Sequence, residues 1–561
     1  MQVSKQQQET RTAGPVSVCP RGEVFKLPEQ KDYQKEFKRL QHHVKEERLK
    51  GREIVVVMGV GFVGAVMAGV VADSVDADDH PNKFVIGMQR PSTRSYWKIP
   101  YINRGIAPVE AEDPEVAPLI ERCVKQKKTL IATYTYDALS LADVVIVDVQ
   151  CDYFKETFGN VRQGHADIAA LEDSLKIIGE KINPECLVLI ETTVPPGTTE
   201  YVAYPIVKKA FEKRGLTDTE PLLSHSFERV MPGRHYVASV RDFWRVCSGI
   251  NETARHRVRE FLSEVINVEQ YPLTVLDRPI ESETCKIVEN SFRATLLAFL
   301  DEWSVFAERN GVDLIKVIDA IKVRPTHSNM IFPGPGIGGY CLPKDGGLGV
   351  WSYHTLMGFE DNVFKITPAA IDINDTRSLR VPQLVRDALR NMGKIVAASK
   401  VVLLGAAYRE GVGDTRYSGS EIIVRKLAEM GAEIAVNDPY VKRWWELEKQ
   451  DTYPGPNHSM SRFFRNQDRL DEVRIETDLS QVLSFADAVI FAVRHQEYLE
   501  LEPEAVVEMI GRPAAIIDCF GVLDDNKIRR YFELGCEVKG MGRGHVQRIK
   551  EEVRQKGKAR L

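Results

Sequence analysis

Cys341 stands in the run Phe332-Pro-Gly-Pro-Gly-Ile-Gly-Gly-Tyr-Cys-Leu-Pro-Lys-Asp345, where four glycines open the backbone around a thiol and Lys344 and Asp345 follow closely. The thiolate is the nucleophilic form of cysteine, and a nearby cation favours it. Most cysteines in such a chain are inert core residues, but a glycine-rich loop is a poor place to bury one, so Cys341 reads as a nucleophile. Lys286 and Asn290 are spaced i, i+4 in a long helical pattern and share a face, from which both could donate to one developing oxyanion. Alone that pair is weak, because Lys and Asn on a helix are usually just solvated. Glu228 in HSFERVMPG and Thr193 in ETTVPPGTT follow strand-like segments, and ligand clefts open at the ends of parallel strands. A thiolate, a cation for negative oxygen and a carboxylate for water form a consistent catalytic set.

A second constellation concerns a cofactor. Gly59-Val60-Gly61-Phe62-Val63-Gly64 follows the β-branched run Ile54–Val57 and opens a helix, the context that raises G-x-G-x-x-G above chance. The glycines allow a tight turn and close approach of backbone to a pyrophosphate, and the helix N-terminus supplies N–H groups. The bland reading is a glycine-packed strand–helix joint with no ligand. The next strand, KFVIGM, should end on an acid for the ribose 2′-hydroxyl, yet it runs into Gln89, Arg90, Pro91, Ser92, Thr93 and Arg94 after an Asp-rich insertion. Gln89 can still bond a hydroxyl, while Arg90 and Arg94 could accommodate a 2′-phosphate or simply be solvated. NAD is the expected cofactor and NADP an alternative; nothing in the pattern asks for a metal.

The elements that must position these groups are legible. IVVVM, KFVIGM, DVVIVDV and CLVLIET read as strands, with helices expected around Val63–Val71, Pro114–Lys125 and Ile168–Ile182, an order that means a parallel sheet. From Ile54 to Ala72 there is no charged residue for 19 positions, which by length could be a membrane span, but Gly59, Gly61 and Gly64 punctuate it as strand, turn and helix. Glu281 to about Ile321 is one helical pattern broken only by Gly311. A second alternation follows, with strands KVVLLG, EIAVND, DAVIFAV and AAIIDCF, a helix Glu421–Met430, and Gly431 placed to end it. Tyr440 to Leu470 reads as a polar surface excursion, and RIKEEVRQKGKARL as a solvated basic tail. The expected class is α/β, with two Rossmann-like doubly wound parallel-sheet domains joined by a long central helix region. The expected division is 1–50, an N-terminal extension; 51–270, NAD(P)-binding; 271–395, central and helical with the Cys loop; 396–545, nucleotide-sugar-binding; and 546–561, the tail.

Composition narrows the class. The 561 residues carry 75 Lys+Arg against 80 Asp+Glu, a balance unlike that of a nucleic-acid binder. Nine scattered cysteines with no C-x-x-C pair suit neither a disulfide framework nor a zinc ribbon, and the polar opening MQVSKQQQETRTAG lacks the core of a signal peptide. A cytoplasmic chain is expected. Within residues 1–50, Tyr33, Phe37, Leu40 and Val44 have helical spacing, and a surface helix packed on its own protein is favoured over a partner- or membrane-binding one.

Taken in order, ETTVPPGTTE, FERVMPGR, KIVENSFRATLLAFLDEW, PGPGIGGYCLPKD and GVGDTR resemble the UDP-glucose/GDP-mannose dehydrogenase family from about Ile54 to Met541. The resemblance implies four-electron oxidation of a sugar C6 alcohol to a uronic acid, through a thiohemiacetal and thioester on the nucleophile, for surface polysaccharide supply. It implies roles by position: Cys341 as nucleophile, Lys286 and Asn290 as oxyanion stabilisers, Asp345 beside the catalytic water, Glu228 as general base and Thr193 positioning that water. Phe332, Gly336, Gly338 and Arg416 become substrate contacts, Gly59, Gly61, Phe62, Val63, Gly64, Gln89, Arg90 and Arg94 cofactor contacts, and the long helix a dimerisation element. Arg416 could equally be spent on an ion pair with Asp414.

Departures concern the substrate. FERVMPG is similar to the branch acting on N-acetylated UDP-hexosamines, but Phe227 replaces its usual proline and Pro232 a second carboxylate of other members. Tyr340 stands where His is frequent, Gly346 where Pro is usual and Phe520 where a basic residue is common. Two rivals are a two-electron dehydrogenase, which needs no nucleophilic cysteine, and a nucleotide-sensing protein that kept the fold without turnover. The set Cys341, Lys286, Asn290 and Glu228 argues against both.

Overall fold

The computed structural model describes residues 14–230, 233–448 and 459–559. The Gln-rich start, Pro232 and part of the excursion after Tyr440 lie outside these. The chain gathers into two compact units, one from Met1–Asp152, Asp167–Lys286 and Ser352–Gly358, the other from Tyr153–Ala166, Ile287–Trp351 and Phe359–Leu561.

The first unit is built on an eight-stranded sheet: β1 (Glu53–Met58), β2 (Lys83–Met88), β3 (Leu130–Thr133), β4 (Val144–Val147), β5 (Leu187–Ile190), β6 (Leu222–Ser226), β7 (Val246–Gly249) and β8 (Thr274–Val275). The order is β8-β7-β6-β5-β4-β1-β2-β3, antiparallel only between β6 and β7, so the topology reverses between β1 and β4 and a ligand crevice opens there. Ile54 to Val57 are all 0% exposed, because β1 is covered on both faces; each such side chain contributes about 1.5–3 kcal/mol by burial. One face packs on helix α2, below, and the other on an N-terminal helix α1 (Gln30–Leu49) through Leu40 and Val44. The amphipathic helix of the extension therefore packs on its own protein. Ahead of it stands an antiparallel hairpin, Val16–Val18 with Val24–Lys26, which the sequence reading did not anticipate.

Helix α2 (Phe62–Asp73) explains the charge-free stretch: Gly64 through Ala72 are all buried. The Asp-rich insertion begins at its far end, where Asp73 pairs with Arg122 and Lys127. Helix α3 (Pro279–Asn310) starts in the first unit and continues in the second, ending at Gly311 with φ +70°.

The second unit has a fully parallel six-stranded sheet: β9 (Lys400–Leu404), β10 (Glu433–Asn437), β11 (Ile475–Glu476), β12 (Ala488–Phe491), β13 (Ala515–Asp518) and β14 (Glu537–Gly540), in the order β11-β10-β9-β12-β13-β14. Helices α4 (Asp345–Thr355), α5 (Ile366–Arg377) and α6 (Gly419–Glu429) carry or brace the loops described next. The excursion is not all surface, since Trp444 and Leu447 join the core. The basic segment expected to be a solvated tail is a helix α7 (Val546–Ala559) whose Val546 and Ile549 are buried, and Lys550 forms a buried ion pair with Glu537. Its hydrophobic positions, spaced for a helix, outweigh its charge. Among the described residues no helix is long and apolar enough to cross a membrane.

Candidate functional site

In the first unit, β1 ends on Gly59, held at φ +103°, and α2 begins after Gly61. A side chain at Gly64 would collide with the Gly59 carbonyl, whereas one at Gly61 would meet nothing within 4 Å. The turn is thus tight where strand meets helix and open where a pyrophosphate would approach the helix N-terminus, so the residues present fit a dinucleotide. Val63 is the second residue of α2; Phe62 stacks on Tyr236 at 4.8 Å and accepts a hydrogen bond from the Tyr236 hydroxyl on its carbonyl oxygen. Gln89 turns back on the glycine turn, its Oε1 accepting from the Val60 N–H at 3.2 Å. Arg90 and Arg94 are exposed on the loop that follows.

At the other strand ends of this unit lies an acidic group that the sequence reading missed. Arg245 pairs with Glu191, both 1% exposed. Burial, with Glu191 and Glu228 nearby and against the pull of Arg245, pushes the Asp148 carboxyl well above its usual range. The signal was an acid ending an apolar strand in DVVIVDVQ. Lys286 Nζ donates to the Glu228 carbonyl oxygen at 3.0 Å and lies 5.3 Å from the Phe227 ring centroid, while the Glu228 carboxylate accepts from the Val230 N–H. Lys286 is therefore held beside the Glu228 backbone. Thr193 follows β5 in the segment ETTVPPGTT and is 8% exposed. Glu283 fastens that segment to α3, accepting from the Gly197 N–H at 2.5 Å, the Thr199 N–H at 2.8 Å and the Thr199 hydroxyl at 2.7 Å.

In the second unit the glycine-rich loop is clamped from several sides. Arg377 on α5 pairs with Asp301 on α3 and donates to the Gly334 carbonyl, and the Ser378 hydroxyl donates to Pro335 at 2.5 Å. A Cβ on Gly334 would strike the Phe520 ring, one on Gly338 would strike Tyr408, and one on Gly336 would lie 2.8 Å from Ser378 Oγ. Three of the loop glycines are thus required by close approach. Phe332 packs against the core with its ring 6.5 Å from that of Phe520, and Phe520, in a place commonly basic, is spent on gripping this loop.

Cys341 opens the turn into α4, its carbonyl accepting from the N–H groups of Lys344 and Asp345 at 3.1 and 3.0 Å. Asp345, fully buried, accepts from Asn290 Nδ2 at 2.6 Å and from Lys344 Nζ at 2.8 Å. The lysine close behind the thiol is therefore committed to Asp345, and Asn290 is oriented by the same carboxylate. The GVGDTR segment reaches this loop through its backbone, the Arg416 carbonyl accepting from the Gly339 N–H at 2.9 Å. The Arg416 guanidinium is gripped by Asp414 through Nε at 2.9 Å and Nη2 at 2.6 Å, the ion pair weighed beside the phosphate role. All nine cysteines are unbridged.

Three models of one family match the chain: the UDP-glucose/GDP-mannose dehydrogenase family NAD binding domain over residues 53–266, its central domain over 280–376 and its UDP binding domain over 402–525. The chain is 26% identical to a UDP-N-acetyl-D-mannosamine dehydrogenase of Pyrococcus horikoshii, over 88% of its own length and 100% of that protein's. It is 22% identical to a UDP-glucose 6-dehydrogenase of Rickettsia prowazekii, over 78% and 95% of the two lengths. The crystal structure of an NDP-N-acetyl-D-galactosaminuronic acid dehydrogenase from Methanosarcina mazei superposes with a TM-score of 0.69 at 27% identity, covering 91% of this chain and 99% of that one.

Proposed function

Because the chain belongs to the UDP-glucose/GDP-mannose dehydrogenase family, and so is a nucleotide-sugar dehydrogenase working with NAD, we propose that it oxidises the C6 hydroxymethyl of an N-acetylated UDP-hexosamine to a carboxylate in two steps. NAD held on the Gly59–Gly64 turn would take up one hydride at each oxidation. The Cys341 thiolate adds to the C6 aldehyde left by the first, forming a C–S bond and a thiohemiacetal oxyanion that Lys286 and Asn290 stabilise. Loss of the second hydride from C6 leaves a thioester. Water, positioned by Thr193 and Asp345 and deprotonated by Glu228, attacks its carbonyl; the C–S bond breaks, the uronate leaves and the thiol is regenerated.

The observation that carries this reading is the setting of Cys341. It sits at the start of the turn into α4, next to a buried Asp345 that orients Asn290, in a loop whose glycines are needed by its neighbours. The names of the Pyrococcus and Methanosarcina proteins, together with FERVMPG, support an N-acetylated sugar. Purified protein supplied with NAD and a panel of UDP-glucose and N-acetylated UDP-hexosamines tests it. The expected result is a higher kcat/KM on an N-acetylated member; UDP-glucose as the best substrate would overturn the assignment.

The working form is a homodimer in the cytoplasm, and its product supplies a surface polysaccharide. Support for the dimer is a stripe on α3, where Val288, Phe292, Phe299, Trp303 and Phe306 are 46–62% exposed at helical spacing. Unbridged cysteines suit a reducing compartment. Trp303→Asp should shift the protein to monomer in sedimentation; an unchanged mass would remove this face from the interface.

A further inference from the structure

After β4 the chain forms a hairpin that the proposed reaction does not use, with strands Asp152–Thr157 and Asn160–Asp167 paired in a sheet of their own. Gly159 turns it at φ +69°. Two strands alone are marginal in water and need something to pack on. Here that support is α5. Asp372 accepts from the Val161 N–H at 2.6 Å, and Asp375 pairs with Lys155 at 2.6 Å, both side chains 12% exposed. A Cβ on Gly159 would lie 2.5 Å from Thr376 Cγ2, so the turn itself rests on the same helix. Residues 462–464 add a further brace: the Arg462 guanidinium lies 4.3 Å from the Phe154 ring centroid and donates to the Lys155 carbonyl, and Phe158 meets the rings of Phe463 and Phe464 at 5.7 and 5.8 Å.

From this support the hairpin reaches the cysteine loop. Tyr153, 3% exposed, donates its hydroxyl to the Val161 carbonyl at 2.7 Å, which fixes its ring. The ring fills room left by two glycines, Gly164 of the hairpin and Gly347 in the first turn of α4, and a Cβ on either would lie 2.8 Å from its Cε1 atom. The neighbouring Gly346 is crowded by α5, since a Cβ there would lie 2.6 Å from Ile371 Cδ1 and 2.7 Å from Thr367 Cγ2. Any side chain at 346, proline's included, would strike that helix, which explains the departure noted in the sequence. Two adjacent glycines give the turn after Cys341 little rigidity of its own, so it must be braced from outside. The other end of the loop is held from the same helix, by Arg377 on the Gly334 carbonyl and by the following Ser378 on that of Pro335.

We propose that the Asp152–Asp167 hairpin is a positioning element for the nucleophile, with Tyr153 as its positioning residue: it holds the Gly346-Gly347 turn, and with it the Cys341 thiol, where the C6 aldehyde is captured before it can leave. The inference rests on the reading of Cys341 as the nucleophile. NAD binding and the first hydride transfer do not need the thiol. Addition to the aldehyde does, and a misplacement of about 1 Å can cost on the order of a hundredfold in such a step.

The test supplies the native chain, Tyr153→Ala, Tyr153→Leu, Tyr153→Phe and Gly347→Ala with NAD and, in turn, UDP-glucose and N-acetylated UDP-hexosamines, with semicarbazide present to trap free aldehyde. It reads reduced cofactor per sugar consumed, trapped aldehyde and NAD affinity. The native chain should give two per sugar and no trapped aldehyde. In Tyr153→Ala, Tyr153→Leu and Gly347→Ala the ratio should fall toward one, trapped aldehyde should appear and uronate formation should slow by about tenfold or more, with NAD affinity unchanged. Tyr153→Phe, which keeps the ring, should stay near two. Substitutions at 153 and 347 act on one contact and should not add when combined. Tyr153→Leu and Gly347→Ala read the same contact should Tyr153→Ala not fold. A native ratio of two that stays at two in these variants overturns the positioning role while the nucleophile stands, and so does a loss of NAD affinity and rate together with no aldehyde released. A native ratio of one removes the nucleophile reading, and the positioning role falls with it.

Discussion

The two sheets make the same first move and then part. In each, the first strand ends on a glycine with φ near +105°, Gly59 at +103° and Gly405 at +106°, and that glycine donates its N–H to the last residue of the neighbouring strand at 2.9 Å, Met88 or Asn437. The difference lies in the residue that follows the second strand. In the C-terminal sheet it is Asp438, which accepts from the Ala406 and Ala407 N–H groups at 2.8 and 3.0 Å and from Tyr440 and Val441 on its other oxygen. Burial works against that carboxylate, but His495 and the amides of Ala407 and Tyr440 hold it below its usual range. In the N-terminal sheet it is Gln89, which takes the Val60 N–H and leaves the Gly61 side open. One turn has its anion built in, and the other keeps the place for a ligand. The first is then free to defer its helix to Gly419 and send GVGDTR to the cysteine loop.

This contrast can be broken from either side. Asp438→Ala should have the largest effect, taking the acceptor from four backbone N–H groups, three of them buried; a loss of about 3 kcal/mol or more in denaturant unfolding is expected, with NAD affinity of the surviving protein unchanged. Gly61→Val should do the reverse. A Cβ there has no protein atom within 4 Å, so unfolding should be unaltered while NAD binding weakens by tenfold or more, about 1.4 kcal/mol. A stability loss in Gly61→Val, or intact binding, would show that the turn is a packing joint and not a cradle.

The smallest expected effect concerns two buried carboxyls, one in each unit. Burial pushes Glu283 and Glu446 up to about 7, against hydrogen bonds from Thr199 and Thr415 respectively. Each is protonated in the folded chain over a range where the unfolded chain has ionised it. The folded state therefore holds more protons there, and stability present below the unfolded pKa is lost as pH rises toward 7. Glu283→Gln and Glu446→Gln should each flatten that decline, by on the order of 1 kcal/mol. An unchanged slope of stability against pH in both would contradict the assignment.

The strands and α2 were legible because buried parallel strands are continuous apolar runs, and the glycine turn because at Gly59 and Gly64 only glycine meets its geometry. The loop glycines were legible as a group, but the reason for each was not: Phe520, Ser378 and Tyr408 lie far along the chain from the glycines they crowd. Arg416 with Asp414, two positions apart in GDTR, could be read from the sequence, and so could the choice between that ion pair and a phosphate. Asp148, Glu191, Arg245 and Glu283 could not, because a lone acid in a strand or helix means nothing until burial and partners are known. The tail and the N-terminal hairpin were missed for a related reason: both pack on distant segments, and the tail's local charge gave the opposite impression.

The central claim is that Cys341 carries the sugar between two oxidations. It is tested most directly by counting reduced cofactor formed per mole of nucleotide sugar consumed, for the native chain and for Cys341→Ser. Two per sugar in the native chain, with uronate formation lost in the variant, is the expected result. One per sugar, unaffected by the substitution, would contradict it and leave Cys341 a structural thiol in a two-electron dehydrogenase.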